Sequence, residues 1–478
     1  MRSKNKHLLV ITSRKPLELA MLLETAINLT NEKANVKYVD LTGASSKIFE
    51  FPIGDRLNSI SFKRKMDRIE EKLNLMGIEK IIVNFHKKVL PNNSKIKNFA
   101  EAAAKNEIIS IKRESDPCLE CHKNLFSDLV NAYTNSYLSL DKILSLHSFS
   151  NVYIYNGRFI IGNAVWNLCD QHKINIKFLE QANMGFPNRY WLFDKPVHSP
   201  VYRAKIVKDF YGSSTNLQKR KFDQYSKEWY SARTAGVSQN FTSKQNINYE
   251  NMSDKLKIIS YFHSSEDELI LSNLKETSWG TQFEIINNLC ELIQSKHDFK
   301  LLIRIHPNLK YKSITEIKIW EAYLRILKEK YRNVDYFWFD SPINTYSLIK
   351  SSQIVFTSGS TIGPESAYMG KSNVLCGNSL YSKMGMSYKP KNFRDLRENF
   401  NFYLKHPNKS KFLENAKRFG YFQILGGLFY KHITVNSDAT RINYDGVILN
   451  YTLLYSAVIR ADKLYLKIFR SQKRCNKC

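Results

Sequence analysis

Residues 301–308 read LLIRIHPN, residues 333–340 read NVDYFWFD, and residues 351–381 read SSQIVFTSGSTIGPESAYMGKSNVLCGNSLY. Each apolar run is short, rich in β-branched or aromatic side chains, and followed by a polar or glycine-containing turn. The segments between the runs are long enough for helices. Short strands that alternate with helices are typical of βαβ units on a parallel sheet, so these residues predict an α/β fold.

The first of two polar turns in this region holds His306 and Pro307, directly after the predicted strand 301–305. Proline ends the strand and restricts the backbone, which should place the imidazole at the carboxyl end of the sheet. Open α/β folds bind their ligands at that edge. We therefore predict that His306 contacts a bound ligand.

The second turn follows the predicted strand 354–357 and contains Ser358, Gly359, Ser360 and Thr361. Glycine lets a backbone approach a ligand closely, and the hydroxyl and N–H groups of a turn that opens a helix can hold a phosphate. Pro364 suits the first turn of that helix, where the carboxylate of Glu365 could accept ribose hydroxyls. The two turns together, on one predicted sheet, indicate a nucleotide-binding site.

These two turns, with the sequence SSEDE at residues 264–268 and with Trp279 and Gln282, resemble the bacterial capsular polysaccharide biosynthesis proteins. That family consists of cytoplasmic glycosyltransferases of the GT-B type and is similar in pattern to the Kdo and sialic acid transferases. The resemblance is clearest over residues 156–388. It implies a GT-B-like fold, in which two Rossmann-like domains face each other across a central cleft.

The resemblance also implies a nucleotide-sugar donor, with a CMP-linked sugar favoured over a UDP- or GDP-linked one, and a glycan or glycolipid acceptor. We expect no cofactor and no metal, because positive groups and helix N-termini can stabilise the departing nucleotide. The residues expected to bind the donor are Ser264, Ser265, His306, Pro307, Ser358, Gly359, Ser360, Thr361 and Glu365.

The acceptor is expected in an N-terminal domain, residues 1–250, with the donor in a C-terminal domain, residues 251–478. Asn156 and Arg158 follow the predicted strand 152–155, and Glu180 follows the strand 176–179. An arginine there can hold a phosphate or carboxylate, and Glu180 can be the general base or can simply pair with Arg158. In the resembled family a glycine follows that glutamate closely, whereas here residues 181–184 intervene.

Four further residues are expected to line the cleft. Asp194 is a reserve candidate for the base, although it could equally cap the helix that begins near Pro196. The others are His198, Gln282 and Tyr381.

The composition limits the alternatives. The 478 residues suit two or three domains, and 72 Lys and Arg against 44 Asp and Glu give a formal net charge of +28. Such a charge favours an anionic partner, but no nucleic-acid-binding module is visible, so we expect no nucleic acid and assign most of the excess to a lysine-rich surface.

No apolar window reaches the length of a membrane span, and we expect a cytoplasmic protein. The tail 446–473 mixes apolar and basic residues. It could lie on the anionic inner face of the membrane or return to the first domain as a terminal helix.

The seven cysteines include two C-x-x-C pairs, Cys118 with Cys121 and Cys475 with Cys478. Their spacing is that of zinc ligands, but the pairs lie far apart in the chain, and we interpret them as structural or incidental thiols. The C-x-x-C-H pattern that ends at His122 is taken as a chance match to a haem motif.

The function predicted from the sequence is transfer of a sugar, Kdo-type or another acidic sugar, to a growing capsule or lipopolysaccharide glycan. Three alternatives stay open at this stage: a CDP-polyol phosphotransferase of the teichoic-acid type, a nucleotide-sugar epimerase, and a non-enzymatic polyanion-binding protein. Nucleotide binding would separate the last from the others.

Overall fold

The structure is a computed structural model that describes residues 5–13, 15–45, 54–86, 89, 91, 93–182, 188–235, 245–250, 256–272, 274, 278–436 and 441–450. Two compact units are present. The first comprises Met1–Ile111, Asp116–Val197 and Gly427–Cys478, and the second comprises Lys112–Ser115 and His198–Gly426. The predicted boundary at residue 250 therefore differs from the structure, because residues 198–250 join the second unit and the chain returns to the first at Gly427.

The strands, in chain order, are β1 Lys6–Ile11, β2 Asn35–Asp40, β3 Glu79–Ile81, β4 Asn151–Tyr155, β5 Asn175–Gln181, β6 Arg189–Phe193, β7 Lys257–Phe262, β8 Phe299–Arg304, β9 Val334–Phe337, β10 Ser352–Thr357, β11 Ser372–Leu375, β12 Leu428–Phe429, β13 Ile433–Val435, β14 Arg441–Tyr444 and β15 Val447–Asn450.

The α-helices are α1 Pro16–Asn31, α2 Gly54–Leu75, α3 Ser94–Lys112, α4 Lys123–Leu146, α5 Ile160–Gln171, α6 Pro200–Ser213, α7 Asn216–Arg220, α8 Phe222–Thr234, α9 Glu266–Leu271, α10 Gln282–Gln294, α11 Ile314–Lys330, α12 Thr345–Ser351, α13 Ile362–Tyr368, α14 Phe393–Glu398, α15 Phe400–Lys405 and α16 Lys409–Leu425.

The sheet of the first unit has a parallel part in the order β3-β2-β1-β4-β5. The chain builds outward from β1 through β2 to β3, then crosses back and adds β4 and β5 on the other side. Strand β6 pairs antiparallel with β5, and β12 pairs antiparallel with β6. The topological switch point, where a Rossmann-like sheet binds its ligand, lies between β1 and β4.

The second unit repeats this arrangement with an entirely parallel sheet in the order β9-β8-β7-β10-β11. Its inner strands are nearly continuous apolar runs, such as IISYF in β7, and are buried along their length. Burial of both faces is what helices on the two sides of a parallel sheet impose. The switch point lies between β7 and β10, and the prediction of two Rossmann-like α/β units is confirmed.

The C-terminal segment returns to the first unit through strands. Strand β12 joins the edge of the sheet at β6, and β13, β14 and β15 form a small antiparallel sheet. The buried carboxylate of Glu24 in α1 accepts the backbone N–H groups of Lys431, His432 and Ile433 at 2.8, 3.0 and 3.1 Å. A buried carboxylate on one helix thus anchors the returning chain.

The tail was predicted as a helix from residue 446, but residues 447–450 form β15. Asp445 and Gly446 both have positive φ, 46° and 79°, which matches the two central residues of a type I′ hairpin turn. This Asp-Gly signal decides for a hairpin locally. Residues 451–478 lie outside the described part of the chain. Within the described residues, no helix combines the length and hydropathy needed to cross a membrane.

Candidate functional site

The candidate site lies at the carboxyl edge of the sheet of the second unit. Strand β7 pairs on one side with β10 and on the other with β8, and all three run in the same direction. The loops that follow them, which hold Ser264, His306 and Ser358, therefore emerge side by side at the switch point. These are the loops that the sequence analysis selected.

His306 links the β8 loop to the β7 loop. Its Nδ1 accepts the backbone N–H of Asn308 at 3.0 Å, so that the imidazole caps the one-turn 3₁₀ helix that begins at Pro307. Its own backbone N–H donates to Nδ1 of His263 at 3.3 Å. Burial lowers the pKa of His306 to about 4. The ring is therefore neutral near pH 7 with its proton on Nε2, a hydrogen-bond donor.

An ion pair stands behind this histidine. Asp267 is fully buried and bonds the hydroxyl of Ser265 and the ammonium group of Lys312, both at 2.7 Å. Burial alone would raise the pKa of Asp267, but the hydrogen bond and charge of Lys312 hold it below its usual value. Lys312 also helps burial to lower the pKa of His263. Ser265, predicted to bind donor, thus holds the start of α9 together.

Gln282 fixes the β7 loop from inside. Its Oε1 accepts the N–H of Ser264 at 2.8 Å and the hydroxyl of Tyr261 at 2.9 Å, and its Nε2 donates to the carbonyl of Ser264 at 2.9 Å. The side chain is buried. Gln282 therefore positions Ser264, which departs from its predicted place on a cleft wall.

The β10 loop satisfies much of its own hydrogen bonding. The N–H groups of Gly359 and Ser360 donate to Thr357 Oγ1 at 3.4 and 3.1 Å, and the hydroxyl of Ser358 bonds Tyr261 at 2.7 Å. Gly359 has a φ of 140°, and a Cβ there would meet Leu269 at 2.8 Å. The predicted phosphate cradle is thus a rigid turn whose shape is set by internal bonds.

Glu365 is directed into the interior. Its side chain is 2% exposed and forms an ion pair with Arg233, whose Nη2 also donates to Thr361 Oγ1 at 2.8 Å. Burial alone would lower the pKa of Arg233, and Glu365 raises it. The structure therefore departs from the predicted contact of Glu365 with ribose. Sequence reasoning missed Arg233 because α8 reaches the loop only through tertiary packing.

Tyr381 supports the same loop from the other side. Its hydroxyl donates to the carbonyl of Ser360 at 2.8 Å. A Cβ on Gly363 would lie 2.2 Å from that hydroxyl oxygen, so the glycine makes room for the ring. Tyr381 is almost completely buried and acts as a brace, whereas it was predicted to line a cleft.

The switch point of the first unit brings together three of the predicted acceptor-side residues. Asn156 has a φ of 54° and its Nδ2 bonds the carboxylate of Glu180. Tyr155 approaches the other carboxylate oxygen at 3.5 Å. Arg158 lies with its guanidinium 5.1 Å from the centre of the Phe159 ring. Glu180 is held by its neighbours Asn156 and Tyr155, so the alternative of a simple pair with Arg158 is not what fixes it.

Asp194 lies at the opposite edge of that sheet. Because β6 runs antiparallel to β5, its carboxyl end stands beside the amino-terminal half of β5, and Asp194 pairs with Lys177 there. The predicted pairing of Asp194 and Glu180 as alternative bases in one site is corrected by this strand direction. His198 follows and begins the second unit.

No protein-family model and no sequence of a characterised protein matches the chain. Solved structures are similar in fold. They include the KpsC β-Kdo 2,4 transferase of Thermosulfurimonas dismutans, with 12% identity over 65% of this chain and 87% of that chain and a TM-score of 0.35. The UDP-GlcNAc 2-epimerase of Neisseria meningitidis has 13% identity over 88% and 96%, with a TM-score of 0.31.

A glycosyltransferase of Rickettsia africae has 13% identity over 98% of this chain and 99% of that chain, with a TM-score of 0.30. At these identities and scores the similarity is remote, and no residue role is taken from it.

Proposed function

We propose that the protein is a glycosyltransferase that takes a sugar from a nucleotide-activated donor and adds it to a bacterial surface glycan. The second unit binds the donor and the first unit binds the acceptor. A CMP-linked acidic sugar of the Kdo type is the proposed donor, in keeping with the sequence resemblance. One observation carries the proposal: the loops after β7, β8 and β10 meet at the switch point of a Rossmann-like sheet.

His306 is the proposed contact to the donor phosphate. The hydrogen bond from Asn308 to Nδ1 keeps the proton on Nε2, and a neutral N–H donor can stabilise a phosphate oxygen as negative charge develops on it. Thr361, which is exposed at the start of α13, is the second proposed contact. The buried pairs Asp267–Lys312 and Glu365–Arg233 hold these two contacts in place.

Glu180 is the proposed general base in the first unit. A sugar hydroxyl is a poor nucleophile until a base takes its proton, and Glu180 is a partly exposed carboxylate at the carboxyl end of β5. Asn156 fixes the orientation of its side chain. Arg158 is the proposed contact to an anionic group of the acceptor.

A thermal-shift screen with CMP, CDP, UDP and GDP tests the donor assignment. A ligand present at about 100 times its dissociation constant stabilises the folded protein by about 2.7 kcal/mol. We expect the cytidine nucleotides to raise the melting temperature. A shift with UDP or GDP alone would refute the CMP assignment, and no shift with any nucleotide would refute the proposed function.

Two substitutions at His306 test the phosphate contact separately from the fold. His306→Asn keeps an acceptor near the Nδ1 position and can still cap the 3₁₀ helix, but it lacks Nε2–H. His306→Gln reaches the Nε2 position and loses the cap. We expect His306→Asn to fold normally and to lose the cytidine shift and most transfer activity, by on the order of 2–4 kcal/mol in the transition state. A fully active His306→Asn protein would remove this residue from the site.

Product analysis separates sugar transfer from the remaining phosphotransferase alternative. With a CMP-sugar donor, transfer releases CMP and leaves a glycosidic bond on the acceptor. With a CDP-polyol donor, phosphotransfer also releases CMP but leaves a phosphodiester. Phosphorus in the product would therefore replace the present proposal by the polyol one.

A further inference from the structure

Two cysteines lie together on the surface of the first unit, away from the switch point described above. Cys118 and Cys121 flank the start of a one-turn 3₁₀ helix, Glu120–His122, that leads directly into α4. The i, i+3 spacing places both side chains on one side of the turn, and their Sγ atoms are 3.1 Å apart. This is one C-x-x-C pair; residues 475–478 form the other.

We propose that Cys118, Cys121, Cys475 and Cys478 together bind one structural zinc ion. Four thiolates in tetrahedral geometry, supplied as two C-x-x-C pairs, form a closed zinc site of the structural kind. Zn–S bonds of about 2.3 Å place two thiolates about 3.8 Å apart in that geometry. The Cys118 and Cys121 sulfurs need to separate by less than about 1 Å to reach it.

The distance between the two pairs in the sequence is no obstacle in the folded chain. The described residues 427–436 and 441–450 pack on the first unit, where β12 pairs with β6 and the backbone of residues 431–433 binds Glu24. Cys118 and Cys121 belong to that same unit. The 24 residues between Asn450 and Cys475 can span about 80 Å when extended, more than the width of such a unit.

Local charge suits a tetrathiolate metal centre. Zinc with four thiolates carries a net charge of −2, which nearby cations stabilise. Lys123 follows Cys121 by two residues and is exposed. The second pair is interleaved with further cations: Lys473, Arg474 and Lys477.

Within the described residues, no three His, Cys, Asp or Glu side chains form a metal-binding group. A metal at Cys118 and Cys121 therefore needs ligands from elsewhere in the chain, and the second C-x-x-C pair is the one segment of the sequence with the matching spacing. This need is what the proposed partnership meets.

The competing state of these sulfurs is a disulfide, and Cys118 is disulfide-bonded in the structure. A disulfide joins two sulfurs, yet the Cys121 sulfur stands 3.1 Å from that of Cys118. A third thiol at this range attacks a neighbouring disulfide and exchanges with it. A zinc ion uses every sulfur of such a group, which is why the cluster points to a metal.

Metal analysis of the full-length protein, purified under reducing conditions, tests the site. We expect about one zinc ion per chain by mass spectrometry. Cys118→Ser and the double variant Cys475→Ser/Cys478→Ser should each lose most of the zinc. The matched control is Cys290→Ser, which changes a buried cysteine in the second unit and should keep it. Retention of zinc by either site variant would overturn the proposal.

Cobalt substitution of the wild-type protein keeps the test decisive if a variant fails to fold. Tetrahedral thiolate cobalt gives intense charge-transfer absorption that oxygen or nitrogen ligands do not give. Its appearance, and its loss on adding zinc, would support the site. Wild-type protein with neither zinc nor cobalt bound and with a Cys118 disulfide present under reducing conditions would establish the disulfide instead. The cytidine thermal shift is independent of these outcomes, because its proposed residues lie in the other unit.

Discussion

At the scale of single residues, His306 combines a structural and a proposed functional role in one ring. Nδ1 caps the 3₁₀ helix, while the protonated nitrogen is Nε2. Burial is the main reason that the ring stays neutral, since Lys312 and Arg304 add only to an effect that desolvation dominates. A neutral donor gives the site a hydrogen bond whose presence does not vary across the physiological pH range.

This neutrality predicts a dependence of stability on pH. The pKa of His306 is about 4 in the folded protein and about 6.5 in an unfolded chain. The unfolded state therefore takes up the proton first as the pH falls, and the stabilisation present above pH 6.5 is lost progressively towards pH 4. We expect urea unfolding of wild type to weaken over that window, and to weaken less in His306→Asn. Equal pH slopes for the two proteins would contradict the assignment.

Two carboxylates on neighbouring antiparallel strands give a second residue-level prediction. Glu180→Gln should keep the nucleotide thermal shift and lose most transfer activity, because it removes the basicity while keeping the shape. Asp194→Asn should keep both, since Asp194 is exposed and pairs with Lys177 at the other edge of the sheet. Both variants are assayed on matched preparations for shift and transfer. Loss of transfer in Asp194→Asn alone would move the base to Asp194.

At the scale of elements, the loop between β10 and α13 is fixed from three directions. Thr357 binds its N–H groups, Tyr381 binds its carbonyl at Ser360, and Arg233 of α8 binds Thr361 and Glu365. Helix α8 is itself held by α16, where Tyr230 donates to the carbonyl of Ala416 at 2.9 Å. A helix far from the loop in sequence thus determines the loop's position.

The buried pair in this arrangement predicts a double-mutant result. Arg233→Met leaves the Glu365 carboxylate buried without its partner and should lower the free energy of unfolding by about 3–5 kcal/mol. Arg233→Met with Glu365→Met removes both charges and should recover much of that loss. Urea unfolding measures all variants. Arg394→Met, which breaks the exposed Arg394–Glu398 pair, is the control and should change little. No recovery in the double variant would mean that packing, not charge, explains the loss.

At the scale of the whole molecule, the chain begins and ends its described course in the same unit. The anchor is Glu24, whose carboxylate binds three consecutive backbone N–H groups of the returning segment. The ion pair between Lys72 and Asp445 adds a second, more exposed contact. The first unit is therefore completed only when the last part of the chain has been made.

The Glu24 anchor predicts local release of the C-terminal strands. Glu24→Ala leaves three N–H groups without their acceptor and should cost about 2–4 kcal/mol. Limited proteolysis should then cut within residues 427–450 faster than in wild type, while Glu32→Ala, at an exposed position just after α1, serves as the control. Unchanged proteolysis of Glu24→Ala would show that strand pairing with β6 is sufficient to hold the segment.

The positive charge of the tail predicts binding to anionic membranes. Residues 451–478 contain one Asp and seven basic residues: Arg460, Lys463, Lys467, Arg470, Lys473, Arg474 and Lys477. Each basic residue near an anionic surface contributes about 1 kcal/mol. Glutamine at 460, 463, 467 and 470 removes four charges and leaves both cysteines in place. We expect this variant to co-sediment less with anionic vesicles than wild type does; equal sedimentation would exclude the tail as the contact.

The sequence alone was sufficient for the features set by local pattern. Short apolar runs that end in polar turns determined the parallel strands, and the same turns located His306 and the loop 358–361 at the edge where ligands bind. Strand ends can be predicted because period, burial and turn chemistry all lie within a few neighbouring residues. The Asp445-Gly446 turn was equally readable, and there the apolar and basic composition of the tail misled the prediction.

Only the tertiary structure decided which residues meet. The antiparallel direction of β6 carried Asp194 away from Glu180, α8 brought Arg233 to Glu365, and the return of the chain at Gly427 set Glu24 against residues 431–433. Each of these contacts joins segments whose own local patterns are unremarkable on either side. Their pairing depends on strand direction and on how much buried charge the fold can neutralise, and these are properties of the packed chain, not of any one stretch of it.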